Sequence, residues 1–244
     1  MTTIATEVLL SNTALLAIPA NEVLVPKIPV ATYVQEAFDL EVWMAVDHEA
    51  LVHAGLPQKL ITELPIRAEM LARAQSLWVV EQRQQELDRQ AFRQRMDEAE
   101  HLRRELKADF REAFRKHPNL NAKVTQMTSG RSQSGLIQNL SDLSVLGAAN
   151  IPLLEAINFD PIKLKKATAW PDELAMLLAK MTHTKLSKNE VKQIRDRAYT
   201  HLKEAVDEII AKGKFVFRHQ PERRRGYKGV SHQRQSNQRQ AQSY

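Results

Sequence analysis

The chain has no cysteine among its 244 residues. That excludes disulfides, thiolate metal sites and cysteine nucleophiles, and it is the usage a reducing compartment favours. Turn residues are scarce, with seven glycines and ten prolines, too few for an all-β fold of many hairpins. No stretch approaches the roughly 20 consecutive apolar residues of a membrane span. The first residues carry no basic segment ahead of their apolar stretch, and Glu7 interrupts that stretch, so no secretion signal is expected. These absences lead to the expectation of a cytoplasmic protein with no membrane partner. An apolar content of 43% is enough to build a core.

Charge is unevenly placed. From Lys212 to Tyr244 there are nine lysines and arginines against the single acid Glu222, a net +8. The whole chain carries +6, so the first 211 residues carry −2. Attraction to anionic partners is therefore expected at the C-terminal end alone.

What the sequence does contain is helical periodicity. Ile66 to His117 holds no proline or glycine and reads as one helix, on the order of 80 Å long. Its apolar stripe has two halves. Ile66, Met70, Ala74, Leu77 and Trp78 mark the first, and Phe92, Met96, Ala99, Leu102, Leu106, Phe110 and Phe114 the second. The second series covers 22 residues in six steps, the period of a straight helix rather than the 3.5 repeat of a coiled coil. Glu81 to Gln90 between them has Leu87 as its only large apolar residue and is expected to be an exposed waist. From Glu81 to Lys116 ten basic and nine acidic residues alternate, with Glu100–Arg104 and Glu112–Lys116 in the favourable i,i+4 order.

The remaining punctuation divides the chain. Pro19, Pro26 and Pro29 make residues 1–31 an extended arm that docks on the helical body. Residues 32–117 hold two helices. The first runs from a Thr32–Gln35 capping box to Ala54, with Gly55 as its stop. The second is the rod, opened by Pro65 and stopped by Pro118. Residues 118–135 form a connector loop. Residues 136–217 form a helical lobe with pieces near 136–146, 151–157, 161–167 and 171–181, then a last helix opened by Ser187–Glu190 and closed by Lys212 and Gly213. Phe215-Val216-Phe217 reads as a short extended segment, and residues 218–244 as a basic, disordered tail. The expected architecture is all-α, an elongated bundle built on one central helix of about 50 residues, with shorter helices packing on both halves.

Local motifs for chemistry fail on spacing. His48-Glu49 and His53 resemble a zinc-protease helix, but the two histidines are five apart, which rotates the second by about 140° from the first. Glu98 and His101 form one E-x-x-H, where a di-iron bundle needs two such pairs and two further carboxylates facing inward. The loop Gly130 to Gly135 has phosphate-loop glycine spacing, but Leu136 and Ile137 stand where lysine and serine or threonine are required. No catalytic residue, metal ligand or cofactor is assigned.

The tail is the one segment with a chemical signature. Arg218, Arg223, Arg224, Arg225, Lys228, Arg234 and Arg239 are suited to phosphates, and Tyr227 to a base. The expectation is a non-enzymatic helical scaffold that meets a protein partner or a second copy through the rod helix, with Trp43 and Leu87 as unused apolar positions. The alternative is a nucleic-acid-associated protein that uses its tail.

Overall fold

The computed structural model describes residues 12–127 and 132–229. Among them are eight helices and no strand: α1 (Thr13–Leu16), α2 (Val30–His53), α3 (Gln58–Ala113), α4 (Pro118–Met127), α5 (Gln133–Ala148), α6 (Ile151–Glu155), α7 (Pro161–Val216) and α8 (Pro221–Arg225). The all-α class expected from periodicity is what the structure has, with a 56-residue helix at its centre. None of the helices described is long and apolar enough to cross a membrane. The chain divides into two units, one up to Gln82 and again from Ser187, the other from Arg83 to Leu186. Both α3 and α7 therefore contribute to both units.

The first unit is built on α2, the early part of α3 and the late part of α7. Ala37, Leu40, Met44 and Leu51 of α2 meet Leu64, Ala68, Leu71 and Ala74 of α3 and Ala198, Leu202, Ala205 and Ile209 of α7. Each set recurs at steps of three, four or seven residues, so one stripe per helix is buried. Complete burial of each leucine or methionine contributes about 1.5–3 kcal/mol. The described part of the arm docks here, but it is not wholly extended: Thr13–Leu16 is helical, and Val30 and Ala31 already belong to α2. The Arg197 guanidinium donates to the carbonyls of Leu15, Leu16 and Ile18, and the Leu24 amide donates to Thr200 Oγ1 at 2.8 Å. The late part of α7 therefore packs with the start of the rod.

The second unit packs Phe92, Ala99, Leu102, Leu106, Phe110 and Phe114 against Val124 of α4, Leu136, Leu140 and Leu143 of α5, Leu154 of α6 and Ala167 and Leu174 of α7. The second stripe of the rod is thus found as expected, with Met96 only partly buried.

Several boundaries differ from the sequence expectations. The rod begins at Gln58, and Pro65 lies inside it. Losing one backbone bond at an interior proline costs about 3 kcal/mol. The apolar series Leu60, Leu64, Ala68, Leu71 runs through Pro65 without a break, and its burial outweighs that loss. The same register leaves Ile66 58% exposed, not in the stripe. Pro29, not Thr32, caps α2. No side chain bonds the free amides there, and Gln35 bonds Asp39 instead. Residues 118–127 of the expected connector are helical.

The 161–167, 171–181 and 187–212 pieces are one helix, α7, with Pro171 inside it. No glycine or proline occurs between Pro171 and Gly213, so nothing obliges the helix to stop at Ser187. Gly213 does not end it either: the Phe217 amide still bonds the Gly213 carbonyl at 2.9 Å. Phe215 and Val216 are its last turn, not an extended piece.

The waist is not uniformly exposed. Leu87 is open, but Gln85 and Asp88 are buried. Asp88 accepts from Thr184 Oγ1 at 2.8 Å, Gln84 Nε2 at 2.9 Å and Lys180 Nζ at 2.9 Å, which ties α3 to α7 within the second unit. Burial raises the Asp88 pKa, but these three donors outweigh it and hold the carboxyl below its ordinary value. Glu100 pairs with Arg103 and Glu112 with Arg115, at i,i+3 in place of the i,i+4 pairs expected there, while i,i+4 pairs form earlier in the rod, Glu63–Arg67 and Glu69–Arg73.

Candidate functional site

Helix α2 stands apart in composition. Its charged residues are Glu36, Asp39, Glu41, Asp47 and Glu49, and it has no lysine or arginine. One stripe of the helix is committed to the core. The opposite face carries Val42 and Val46, 70% and 81% exposed, with Trp43 beside them at 43%. Val42 and Val46 are one turn apart and therefore adjacent on the surface. Asp39 lies about one turn before this pair and Glu49 about one turn after it, both exposed. The result is a small apolar ledge with acids at both ends.

The C-terminal segment docks beside this ledge. Phe217, at the foot of α7, is buried, and two side chains converge on it. The Tyr227 ring stacks on it, with centroids 5.6 Å apart and planes 18° apart, and the Arg223 guanidinium lies 4.0 Å from its centroid. Tyr227 is completely buried and donates its hydroxyl to Asp47 Oδ2 at 2.7 Å, while Arg223 pairs with Asp47 Oδ1. Burial, then the bond to Asp47 and its charge, push the Tyr227 pKa well above that of a free tyrosine. Two glycines make room. A Cβ on Gly213 would lie 2.1 Å from the Tyr227 ring, and a Cβ on Gly226 would lie 2.3 Å from the Trp43 ring. Only a bare Cα admits an aromatic ring so closely.

This arrangement revises the tail residues one by one. Tyr227 is a core residue facing Asp47 and is not available to stack on a base. Arg223 is half-buried against Asp47. Arg218, Arg224, Arg225 and Lys228 are exposed. Arg218 donates to the Phe215 carbonyl, and Arg225 pairs with the exposed Glu222. Arg234 and Arg239 lie outside the described residues. Residues 218–229 are thus an ordered part of the first unit, not a disordered tail. Sequence reasoning missed Asp47, because a carboxylate on an amphipathic helix carries no local sign of a partner 180 positions away.

The docked segment runs between α2 and α7 and leaves a cleft on each side. One, about 220 Å³, is lined by Lys27, Tyr33, Glu36, Tyr199, Lys203 and Asp207. The other, about 200 Å³, is lined by Asp39, Leu40, Trp43, Ile210, Gly226 and Lys228. Tyr33 and Tyr199 pack with centroids 5.0 Å apart in the first. Burial, then the neighbouring Tyr199, Asp207 and Glu36, push the Tyr33 pKa up. In the second unit, an open groove runs past His101 and Trp170. Its cations are occupied. Arg95 stacks on Trp170 at 4.8 Å and pairs with Glu98 and Glu173, and Lys163 pairs with Glu105 and Asp109. Glu98 of the E-x-x-H pair is therefore an ion-pair partner. His53 of the other histidine pair is the exposed last residue of α2. Of the Gly130–Gly135 loop, residues 130 and 131 lie outside the described residues. The Gly135 amide is held by Ser132 Oγ at 3.0 Å, the N-cap of α5.

Comparison of the chain with protein-family models, with curated proteins and with solved structures found no match.

Proposed function

We propose that this chain is a non-enzymatic helical interaction protein, and that its partner docks on the outer face of α2 and not on the rod. One observation carries this reading. Val42 and Val46 are 70% and 81% exposed, one turn apart, on a helix whose charges are all acidic. Exposed β-branched residues on the back of a helix that already buries a full stripe contribute nothing to the core. Grouped exposed apolar side chains with a polar rim are the surface that partners use. The acids at both ends of the ledge favour an amphipathic helix whose apolar residues are flanked by lysine or arginine.

The test uses synthetic amphipathic helices that share one leucine face and carry lysines, glutamines or glutamates beside it. Their affinity for the full chain is measured by fluorescence anisotropy, with wild type and with Val42→Glu plus Val46→Glu. The lysine peptide is expected to bind best, and the double substitution to weaken it at least about tenfold, the loss of roughly 1.4 kcal/mol. Equal affinities for the three peptides, or a double variant that binds like wild type, would refute the reading.

A further inference from the structure

We propose that the end of α7 and the α8 turn form a binding surface for single-stranded nucleic acid, with Phe215 as the ring on which a base stacks. This surface adjoins the α2 ledge at Trp43 and Gly226 but uses neither Val42 nor Val46.

Phe215 is an aromatic side chain in the wrong place for a core. Phe215 is 61% exposed, in the last turn of a helix whose neighbouring Phe217 is 2% exposed. Burial of Phe217 accounts for the apolar character of this turn, and Phe215 adds nothing to it. The Arg218 guanidinium sits 4.9 Å from the Phe215 centroid and is held by its bond to the Phe215 carbonyl at 3.0 Å. With the guanidinium over one face, the exposed ring has its other face for a base, and a positioned phosphate contact beside it.

The surrounding charges agree. Lys214, Arg218, Arg224 and Lys228 have no ion-pair partner among the described residues, and Arg225 has only the exposed Glu222. The neighbouring cations are already used: Arg223 pairs with Asp47, and Lys212 donates to the Ala54 carbonyl at 3.2 Å. The clasp on Asp47 thus withdraws Tyr227 and Arg223 into the fold and leaves four unpaired cations near the end of the same segment as Phe215. Unstacked bases offer their faces to such a ring, whereas a duplex hides them. An acidic peptide would use the cations but would gain little from the ring.

Binding is tested with the full chain and fluorescein-labelled oligo(dT), oligo(U), a mixed-sequence duplex and phosphatidylserine vesicles, across a salt series. Single strands are expected to bind, with log affinity falling by about 3 per decade of salt if four phosphates are contacted. Phe215→Ala should weaken binding about 5- to 100-fold at unchanged salt slope, and Phe215→Trp should restore it with quenching of the new indole. Arg218→Gln with Arg224→Gln should lower the slope by about 1.4. Thermal midpoints guard against misfolding, and the exposure of Phe215 leaves them near wild type. The proposal is overturned if no single strand binds, if Phe215→Ala binds like wild type, or if duplex or vesicles bind as tightly with the same slope.

Discussion

Replacing Tyr227 by phenylalanine removes a single hydroxyl and isolates the clasp from the packing around it. The ring keeps its place on Phe217 and over the bare Cα of Gly213. What is lost is the 2.7 Å bond to Asp47 Oδ2, on a carboxylate only 2% exposed. A hydrogen bond to a charged group contributes about 1.5–3 kcal/mol, which is about 10- to 150-fold in an opening equilibrium. The affected equilibrium is local. α8 has five residues and no buried side chain, and its amides bond only within their own turn, Arg224 to Gln220 at 2.9 Å and Tyr227 to Arg224 at 3.2 Å. A turn that short does not persist undocked. Hydrogen exchange at the amides of Arg224, Gly226, Tyr227 and Lys228 therefore reads the clasp directly. Tyr227→Phe should accelerate it about 10- to 150-fold while core amides such as that of Leu202 keep their rates. Tyr227→Ala, which also loses the buried ring, should leave the segment unprotected. Gly213→Ala should do the same without touching Tyr227, by occupying the ring's place. The reasoning is refuted if Tyr227→Phe and Tyr227→Ala both exchange within twofold of wild type at these amides.

Two further outcomes concern stability. Asp88→Ala removes the acceptor for Thr184, Gln84 and Lys180, and at roughly 1 kcal/mol net per bond it should cost about 1.5–4 kcal/mol in urea unfolding; Lys180 is 59% exposed on its side chain, so the ion pair itself contributes little of this. Because the folded Asp88 pKa is depressed, its contribution is present above the unfolded value near 3.9 and is lost as pH falls through the folded value; an Asp88→Ala difference that persists unchanged at pH 2 would contradict this. His201 is held below the ordinary histidine value by burial and then by the charge of Arg67. The unfolded chain therefore binds the proton first, and stability is complete above about pH 6.5 and declines as pH falls from there toward the folded value. His201→Gln should remove that part of the decline between pH 7 and pH 5, and urea midpoints of equal pH slope in the two proteins would count against it.

Helical periodicity is a property of neighbouring residues, and it was legible. The all-α class, the rod's second stripe from Phe92 to Phe114 and the local concentration of positive charge follow from composition and spacing alone. Helix ends were less legible. Pro65, Pro171, Ser187 and Gly213 each carry a genuine local signal to start or stop, and at each the helix continues through the signal. At Pro65 the burial of the stripe running through it exceeds the roughly 3 kcal/mol a proline costs, a comparison that needs the partner helices to be known.

The fate of the basic segment was decided only by the tertiary structure. Sequence composition marks Arg223 to Lys228 as polar and chain-terminal, and Tyr227 as its one aromatic. Whether that aromatic faces solvent depends on the bare Cα of Gly213 and the Phe217 ring, neighbours at the end of α7, and on Asp47 of α2, which chain order does not bring to them. Their convergence buries Tyr227 and engages Arg223, and the same packing leaves Phe215, two residues from a core phenylalanine, in the open. Charge and periodicity are inherited from the sequence, but exposure is a relation between distant residues, and it comes into being only when the helices pack.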